Sequence, residues 1–402
     1  MNKKQKVLII TPCGLPVPAV KGGAVATLVE SLIIQNDIHK KADFTIVSSY
    51  TPEAENKAKK YVNSKFVFLK TPRICSTIDN FYDSSLSKAE NPHRYTWKCY
   101  VISKLKKLLL DEDFDAVVFE NSGYLLNVLK NKKILEKYRG KLYYHLHNDV
   151  PNNIFINGLK ECTLLMISNY LRKKVINLCG QEIDKNIRIL HNGFDYKTFA
   201  QGLDLEEKRS LKQSLEIPET KKIVVFAGRI NRDKGIEELT TAFNMLQRDD
   251  VVLLVIGSRF FADKRVSEFE NKMKQIFENM EEKVRFTGYI PYENMWKYYS
   301  IADLAVLPSI WEEPAGLTIV ESMSAALPVI TTNSGGIPEF IDSRFGIILE
   351  RDDRLVENIK LSINKILDDL PEWKLRGKKS SKYIAEIVNE EKYYNTFCEY
   401  IF

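Results

Sequence analysis

The densest group of residues able to do chemistry is Trp311-Glu312-Glu313-Pro314-Ala315-Gly316-Leu317-Thr318-Ile319-Val320-Glu321, just after an apolar run ending at Pro308-Ser309. Pro314 and Gly316 mark a tight turn, and a helix is expected from near Leu317, carrying Glu321. A helix N-terminus offers free backbone N–H groups and a partial positive charge, which suit a diphosphate. Gly316 lets a ligand approach the backbone. Glu313 and Glu321 can accept hydrogen bonds from sugar hydroxyls. The same letters also fit an acidic residue favouring a helix dipole, followed by a solvated helix glutamate. Alone, the stretch does not separate the two.

A second cluster, Phe226-Ala227-Gly228-Arg229-Ile230-Asn231-Arg232-Asp233-Lys234-Gly235, closes another apolar run. Arg229 and Lys234 can reach a pyrophosphate from such a loop and neutralise the charge that grows on it as a glycosidic bond breaks. Two loop cations in water fit equally. Lys21-Gly22-Gly23-Ala24 is glycine-rich but is neither G-x-G-x-x-G nor a Walker loop, and by itself reads as a turn. In Tyr144-His145-Leu146-His147-Asn148-Asp149 two histidines stand two apart, on one side of a strand. Metal binding is open to them, but no third and fourth ligands stand at a fixed spacing. Asp111-Glu112-Asp113-Phe114-Asp115 holds two D-x-D triplets at the amino end of an apolar run. That is the wrong edge of a parallel sheet for a ligand, so it reads as a solvated acidic turn.

These clusters need elements to position them. Val7–Thr11, Phe44–Ser48, Phe66–Leu69, Ala116–Phe119, Leu142–Leu146 and Leu164–Ile167 read as short strands. Between the first two, Val25, Leu28, Val29, Leu32 and Ile33 make one helical face over Ala24–Gln35. Strand, glycine-bearing turn, helix, strand is the unit of a parallel sheet. After Asn192-Gly193-Phe194-Asp195 the pattern restarts: strands over Ile223–Ala227, Val251–Ile256, Val284–Thr287, Leu304–Leu307 and Val329–Thr331, a helix over Ile236–Leu246, and a charged helix ending near Glu281. Nearly continuous apolar strands are those covered by helices on both faces. The expected fold class is therefore α/β, two Rossmann-like doubly wound domains, residues 1–195 and 196–382, facing a central cleft. The polar segment Thr71–Pro92 reads as a long loop.

The 402 residues are too many for one ordinary core, and 44% hydrophobic with 28% charged is a globular composition. No window approaches the roughly 20 apolar residues that span a bilayer. The apolar run at Val7 is short and broken by Pro12 and Gly14, so it reads as a strand and not a signal peptide. The six scattered cysteines include no C-x-x-C pair, which points to thiols in a reducing compartment. A net charge of +6 hides an asymmetry: residues 1–195 carry 30 basic and 19 acidic residues (+11), and residues 196–402 carry 29 and 34 (−5). A basic face suits anionic lipid head groups, polyanions or phosphorylated substrates, and equally a lysine-rich solubilising surface.

Taken together and in this order, the motifs resemble retaining glycosyltransferases of the GT-B fold, the family-four or group 1 type. The resemblance covers most of the chain and is strongest from Ile223 through Phe340. It rests on Glu313-x7-Glu321, on Gly228-Arg229-x4-Lys234, on Asn192-Gly193-x-Asp195 with Phe199, and on Pro328-Val329-Ile330 leading to Gly335-Gly336-Ile337-Pro338-Glu339. It implies catalytic or reaction-centre roles for His147, Glu313, Arg229 and Lys234. It implies a donor site of Gly23, Arg229, Lys234, Tyr289, Ile290, Glu313, Ala315, Gly316, Leu317, Thr318 and Glu321. Glu313 would contact the transferred sugar, Glu321 the ribose, Tyr289 and Ile290 the base, and Gly23 would close on the diphosphate from the other domain. No metal or other cofactor is implied, because cations and a helix end hold the diphosphate. Implied partners are a nucleotide-sugar donor, with UDP expected, and a saccharide or lipid-linked acceptor of surface polysaccharide or glycolipid synthesis. A cytoplasmic location is implied, peripheral on the inner face of an anionic membrane through the basic half; no nucleic acid is expected. A last helix over residues 383–402 would pack back on the first domain. Ala326 stands where the family often has glycine at a helix end, so the helix is expected to end differently. Gly257-Ser258-Arg259 departs from the family's glycine-x-glycine. A nucleotide-sugar epimerase or a non-catalytic partner subunit of the same fold remain as alternatives.

Overall fold

A computed structural model describes residues 4–12, 14–20, 23–75, 77–79, 95–150, 154–257 and 267–402. Outside it lie Cys13, Lys21 and Gly22 of the first glycine loop, most of the segment Thr71–Pro92, and Ser258 and Arg259. The chain divides into two units, Met1–Gly193 with Glu390–Phe402, and Phe194–Asn389.

The first unit is built on seven parallel strands: β1 (Gln5–Ile10), β2 (Ala42–Ser49), β3 (Ser64–Leu69), β4 (Ala116–Glu120), β5 (Leu142–Leu146), β6 (Thr163–Met166) and β7 (Ile187–Ile189), in the order 3-2-1-4-5-6-7. The second unit has six: β8 (Lys222–Ala227), β9 (Val251–Ile256), β10 (Val284–Gly288), β11 (Leu304–Leu307), β12 (Val329–Thr332) and β13 (Gly346–Leu349), in the order 10-9-8-11-12-13. β9 and β11 are apolar throughout and fully buried, and β4 is fully buried and apolar except for Glu120 at its end, as helices on both faces require. Each sheet winds outward in both directions from a middle pair, β1 and β4 or β8 and β11. At those pairs the flanking connections diverge and leave a crevice beyond the carboxyl ends of the strands.

Eleven of these strands coincide with apolar runs in the sequence. β7 and β13 do not: β7 is three residues long with Arg188 at its centre, and β13 is a half-buried edge strand. The helix Ala24–His39 runs four residues past the expected end at Gln35 and is capped at Lys40 in the left-handed region. The expected single last helix is two, Leu370–Ile387 and Glu390–Ile401. The break falls where Asn389 leaves the helix to pair with Phe194, its side-chain amide donating to the Ala385 carbonyl. The final helix packs on the first sheet through Tyr393, Tyr394 and Phe397, and the Tyr394 hydroxyl donates to Asn36 at 2.7 Å. Gly193 is required there, since a Cβ would lie 2.7 Å from the Tyr393 ring. Among the described residues no helix is long and apolar enough to cross a membrane.

Candidate donor site and a buried histidine cluster

Each side of the second unit's crevice carries one of the motif loops. β8 delivers Gly228–Gly235, and β11 delivers Pro308–Gly316. The two loops lock together through backbone groups. The Asp233 carbonyl accepts from the amides of Ile310 and Trp311 at 2.9 and 3.1 Å, and from the Ser309 hydroxyl at 3.0 Å. Gly235, at φ 68°, brings its Cα so close to Pro308 that a Cβ would sit 1.9 Å from the Pro308 oxygen. The turn at Glu313 is held from β12's side: Gly336 N–H donates to the Glu313 carbonyl at 2.7 Å, and Glu313 N–H to Ser334 Oγ at 3.3 Å.

This scaffold joins the two clusters at their side chains. Lys234 forms an ion pair with Glu313, and Ser309 Oγ donates to the same carboxylate oxygen at 2.9 Å. Both charged groups are largely buried, with side-chain exposures of 20% and 10%. Phe226, Ala227, Gly316, Thr318 and Ile337 line the narrow cavity beside them. Gly316 takes the left-handed conformation (φ 67°) ahead of the helix Leu317–Ser324, so its carbonyl serves the helix while the first amides stay free for an anion. Ala315 is buried behind the turn, and Leu317 and Thr318 are half-buried.

Glu321 is not the solvated helix glutamate that the sequence also allowed. It is buried, and its Oε2 accepts from the Tyr299 hydroxyl at 2.8 Å. Burial pushes its carboxyl up to about 7, against smaller opposing effects of Tyr299 and the Lys234 charge. Tyr299 was not among the residues expected at the site. Arg229 lies on the β8 loop, exposed. Tyr289, exposed, and Ile290, half-buried, follow β10 on the same rim, where Gly257 N–H donates to the Gly288 carbonyl. Ala326 does not change the helix ending as expected. It adopts φ 59°, and Leu327 N–H reaches back to the Ser322 carbonyl, the pattern a glycine cap makes.

Gly23 and His147 belong to the first unit. Gly23, at φ 104°, opens the helix Ala24–His39. The segment before it is anchored at Ala19: its N–H donates to Glu30 and its carbonyl accepts from Lys57, which pairs with Glu30 at 2.6 Å. His147 stands beyond β5, beside a residue that sequence reasoning missed. Glu120 ends β4, opposite His145 in the sheet register, and is fully buried. His147 Nε2 lies 2.9 Å from Glu120 Oε2, and His145 Nδ1 3.3 Å from Oε1. Burial would raise the Glu120 carboxyl, but the two histidines hold it down at about 2. Burial and the charge of His145 draw His147 down to about 4. The acidic turn at Asp111–Asp115 precedes β4 and is occupied structurally: Asp113 pairs with Lys137 at 2.9 Å and Asp115 accepts from Lys6 N–H. The Asn192-x-x-Asp195 stretch is also structural in part, Asp195 capping the helix Tyr196–Ala200.

Comparison with known proteins fits this geometry. Residues 207–386 match the sequence model of the glycosyl transferases group 1. An uncharacterised glycosyltransferase of Methanocaldococcus jannaschii is 29% identical over 62% of this chain and 66% of its own length. A lipopolysaccharide 1,2-N-acetylglucosaminetransferase of Salmonella typhimurium is 27% identical over 58% of each chain. The chain thus spans about three fifths to two thirds of these curated relatives. HepE of Anabaena, solved in complex with UDP, superposes with a TM-score of 0.70 over 98% of both chains at 16% identity. The two doubly wound units are those of the GT-B fold, and the second unit, over residues 207–386, is similar in sequence to the glycosyl transferases group 1.

Proposed function

We propose that the protein transfers a sugar from a nucleotide-sugar donor, with retention at the anomeric carbon, to a saccharide or lipid-linked acceptor of the cell envelope. The observation that carries this reading is the buried Lys234–Glu313–Ser309 group at the crevice between β8 and β11, beside the free amides of the helix from Leu317. A donor diphosphate held there takes its countercharge from Lys234 and Arg229 and its hydrogen bonds from the backbone of Gly316, Leu317 and Thr318, with no metal at the diphosphate. As the bond to the sugar breaks, charge grows on the leaving phosphate, and fixed cations in a dry site stabilise that charge most. Glu313, released from Lys234 by the incoming phosphate, accepts hydroxyls of the transferred sugar. Glu321 offers its second oxygen to the ribose, and Tyr289 and Ile290 border the base. Two sugar-recognising glutamates are not an acid–base pair. In this reading the leaving phosphate takes the acceptor's proton on the same face.

UDP is the proposed nucleotide; HepE, of the same fold, was solved with it. The lipopolysaccharide transferase of Salmonella supports an envelope acceptor. The basic residues 1–195, with a net charge of +11, suit the inner face of an anionic membrane, with that unit reading the acceptor near His147 and Gly23. Calorimetry with UDP tests the donor site. Binding that Lys234→Ala weakens supports it, while the absence of any UDP binding favours a non-catalytic subunit. Conversion of the donor sugar without any acceptor favours an epimerase.

A further inference from the structure

Glu120, His145 and His147 converge at the carboxyl ends of β4 and β5, with one ligand atom from each all within 4.8 Å of one another. All three are buried. Their positions are fixed by the fold: Glu120 and His145 are register partners, and Asn121 Oδ1 accepts the amides of His147 and Asn148 at 2.8 and 3.1 Å. Among the described residues, the outward nitrogens, His145 Nε2 and His147 Nδ1, have no hydrogen-bond partner, and neither does Oδ1 of Asn192, whose side chain interacts with His147.

Placing the protons exposes a conflict. If both neutral rings turn their N–H toward Glu120, two bare nitrogens are left buried. If the protons sit on the outward nitrogens, two lone pairs face a carboxylate. A cation at the point of convergence makes the second arrangement stable. Tetrahedral zinc with ligand bonds of 2.0–2.1 Å holds its ligand atoms about 3.4 Å apart. The histidine nitrogens stand 3.2 and 2.9 Å from the shared Glu120 Oε2, within about half an ångström of that, and the three ligand atoms lie within 4.8 Å of one another. A histidine ligand also characteristically donates its other N–H to a fixed oxygen, and Asn192, whose side chain interacts with His147, offers one.

We propose that Glu120, His145 and His147 bind one divalent transition metal, zinc first, with Asn192 orienting His147. Two imidazoles and a carboxylate suit zinc over magnesium or calcium. Three protein ligands leave one position for a water or a substrate oxygen. This site is separate from the diphosphate loops of the second unit, and the UDP experiment above does not bear on it.

The test is zinc content. The full chain is equilibrated with zinc, freed of excess by gel filtration, and assayed by inductively coupled plasma mass spectrometry. One zinc per chain is expected, with the visible absorption of four-coordinate cobalt after exchange. His145→Ala should weaken retention at least tenfold, and Asn192→Ala about tenfold. Folded wild-type chain retaining less than a tenth of an equivalent overturns the proposal, whatever the variants do. So does a full equivalent that His145→Ala, folded by circular dichroism, retains unchanged. In the first outcome, ring 15N shifts would place the protons between the histidines and Glu120.

Discussion

Lys234 and Glu313 form a largely buried ion pair at the crevice between β8 and β11. A largely buried lysine needs a counter-ion, and Glu313 supplies it while Ser309 holds that carboxylate in place. In the proposed donor complex, a diphosphate would replace the carboxylate at Lys234 without further desolvation of the lysine. Lys234→Ala should therefore weaken UDP binding about tenfold by calorimetry and lower transfer at least 100-fold in a radiolabel assay. Glu321 gives a second test. Its carboxyl is raised from 4.5 to about 7, so the folded chain keeps a proton that the unfolded chain releases between those values. The resulting stability is complete below about 4.5 and is lost as the pH rises through 7. Compared with Glu321→Gln, the wild type should lose up to about 3 kcal/mol between pH 4.5 and 8, measured by urea unfolding at each pH. Glu120 shows why some site residues stay hidden in a sequence. It follows an apolar run as a strand-ending glutamate would, and its partners are 25 and 27 positions away. Only the β4–β5 register brings them together.

At the scale of elements, glycine and helix caps fix the loops. Gly235→Ala should cost about 2–4 kcal/mol and abolish donor binding, because the Cβ would meet the Pro308 carbonyl and pry the two loops apart. Scanning calorimetry and UDP titration would read both effects. Ala326 is the opposite case, a side chain held at φ 59°. The left-handed region costs alanine roughly 1–2 kcal/mol, and glycine loses up to about 1 kcal/mol of unfolded-state entropy. Ala326→Gly should thus stabilise the second unit by up to about 1 kcal/mol, seen as a higher thermal midpoint. Buried strands with four or more apolar residues, such as Leu142–Leu146, are legible in sequence because few other structures accept such runs. β7, short and centred on Arg188, is set by its neighbour β6 and leaves no pattern of its own. The interruption at Val388–Asn389 was likewise hidden, because the pairing of Asn389 with Phe194 spans nearly the whole second unit.

At the scale of the whole molecule, two sheets wound outward from a central pair place the motif loops at strand carboxyl ends. Sequence order alone carried the Arg229–Lys234 and Glu313–Glu321 motifs into one domain; the sheet order explains their meeting, since β8 and β11 are neighbours although about 80 residues apart. The uneven charge belongs to this scale too. If the basic residues 1–195 meet an anionic membrane, the chain should cosediment with vesicles containing anionic lipid at about 0.05 M salt. It should be released at about 0.5 M, where screening falls within a few ångströms. Equal sedimentation with neutral vesicles would contradict this attraction. Turnover of a nucleotide sugar by the second unit is read with a donor panel. Radiolabelled nucleotide sugars are incubated with the full chain and a membrane extract, and both transfer and donor hydrolysis are measured. The account predicts that one UDP-sugar is consumed by the wild type and not by Lys234→Ala. Consumption of no donor by a folded wild-type chain, or equal consumption by Lys234→Ala, would contradict it.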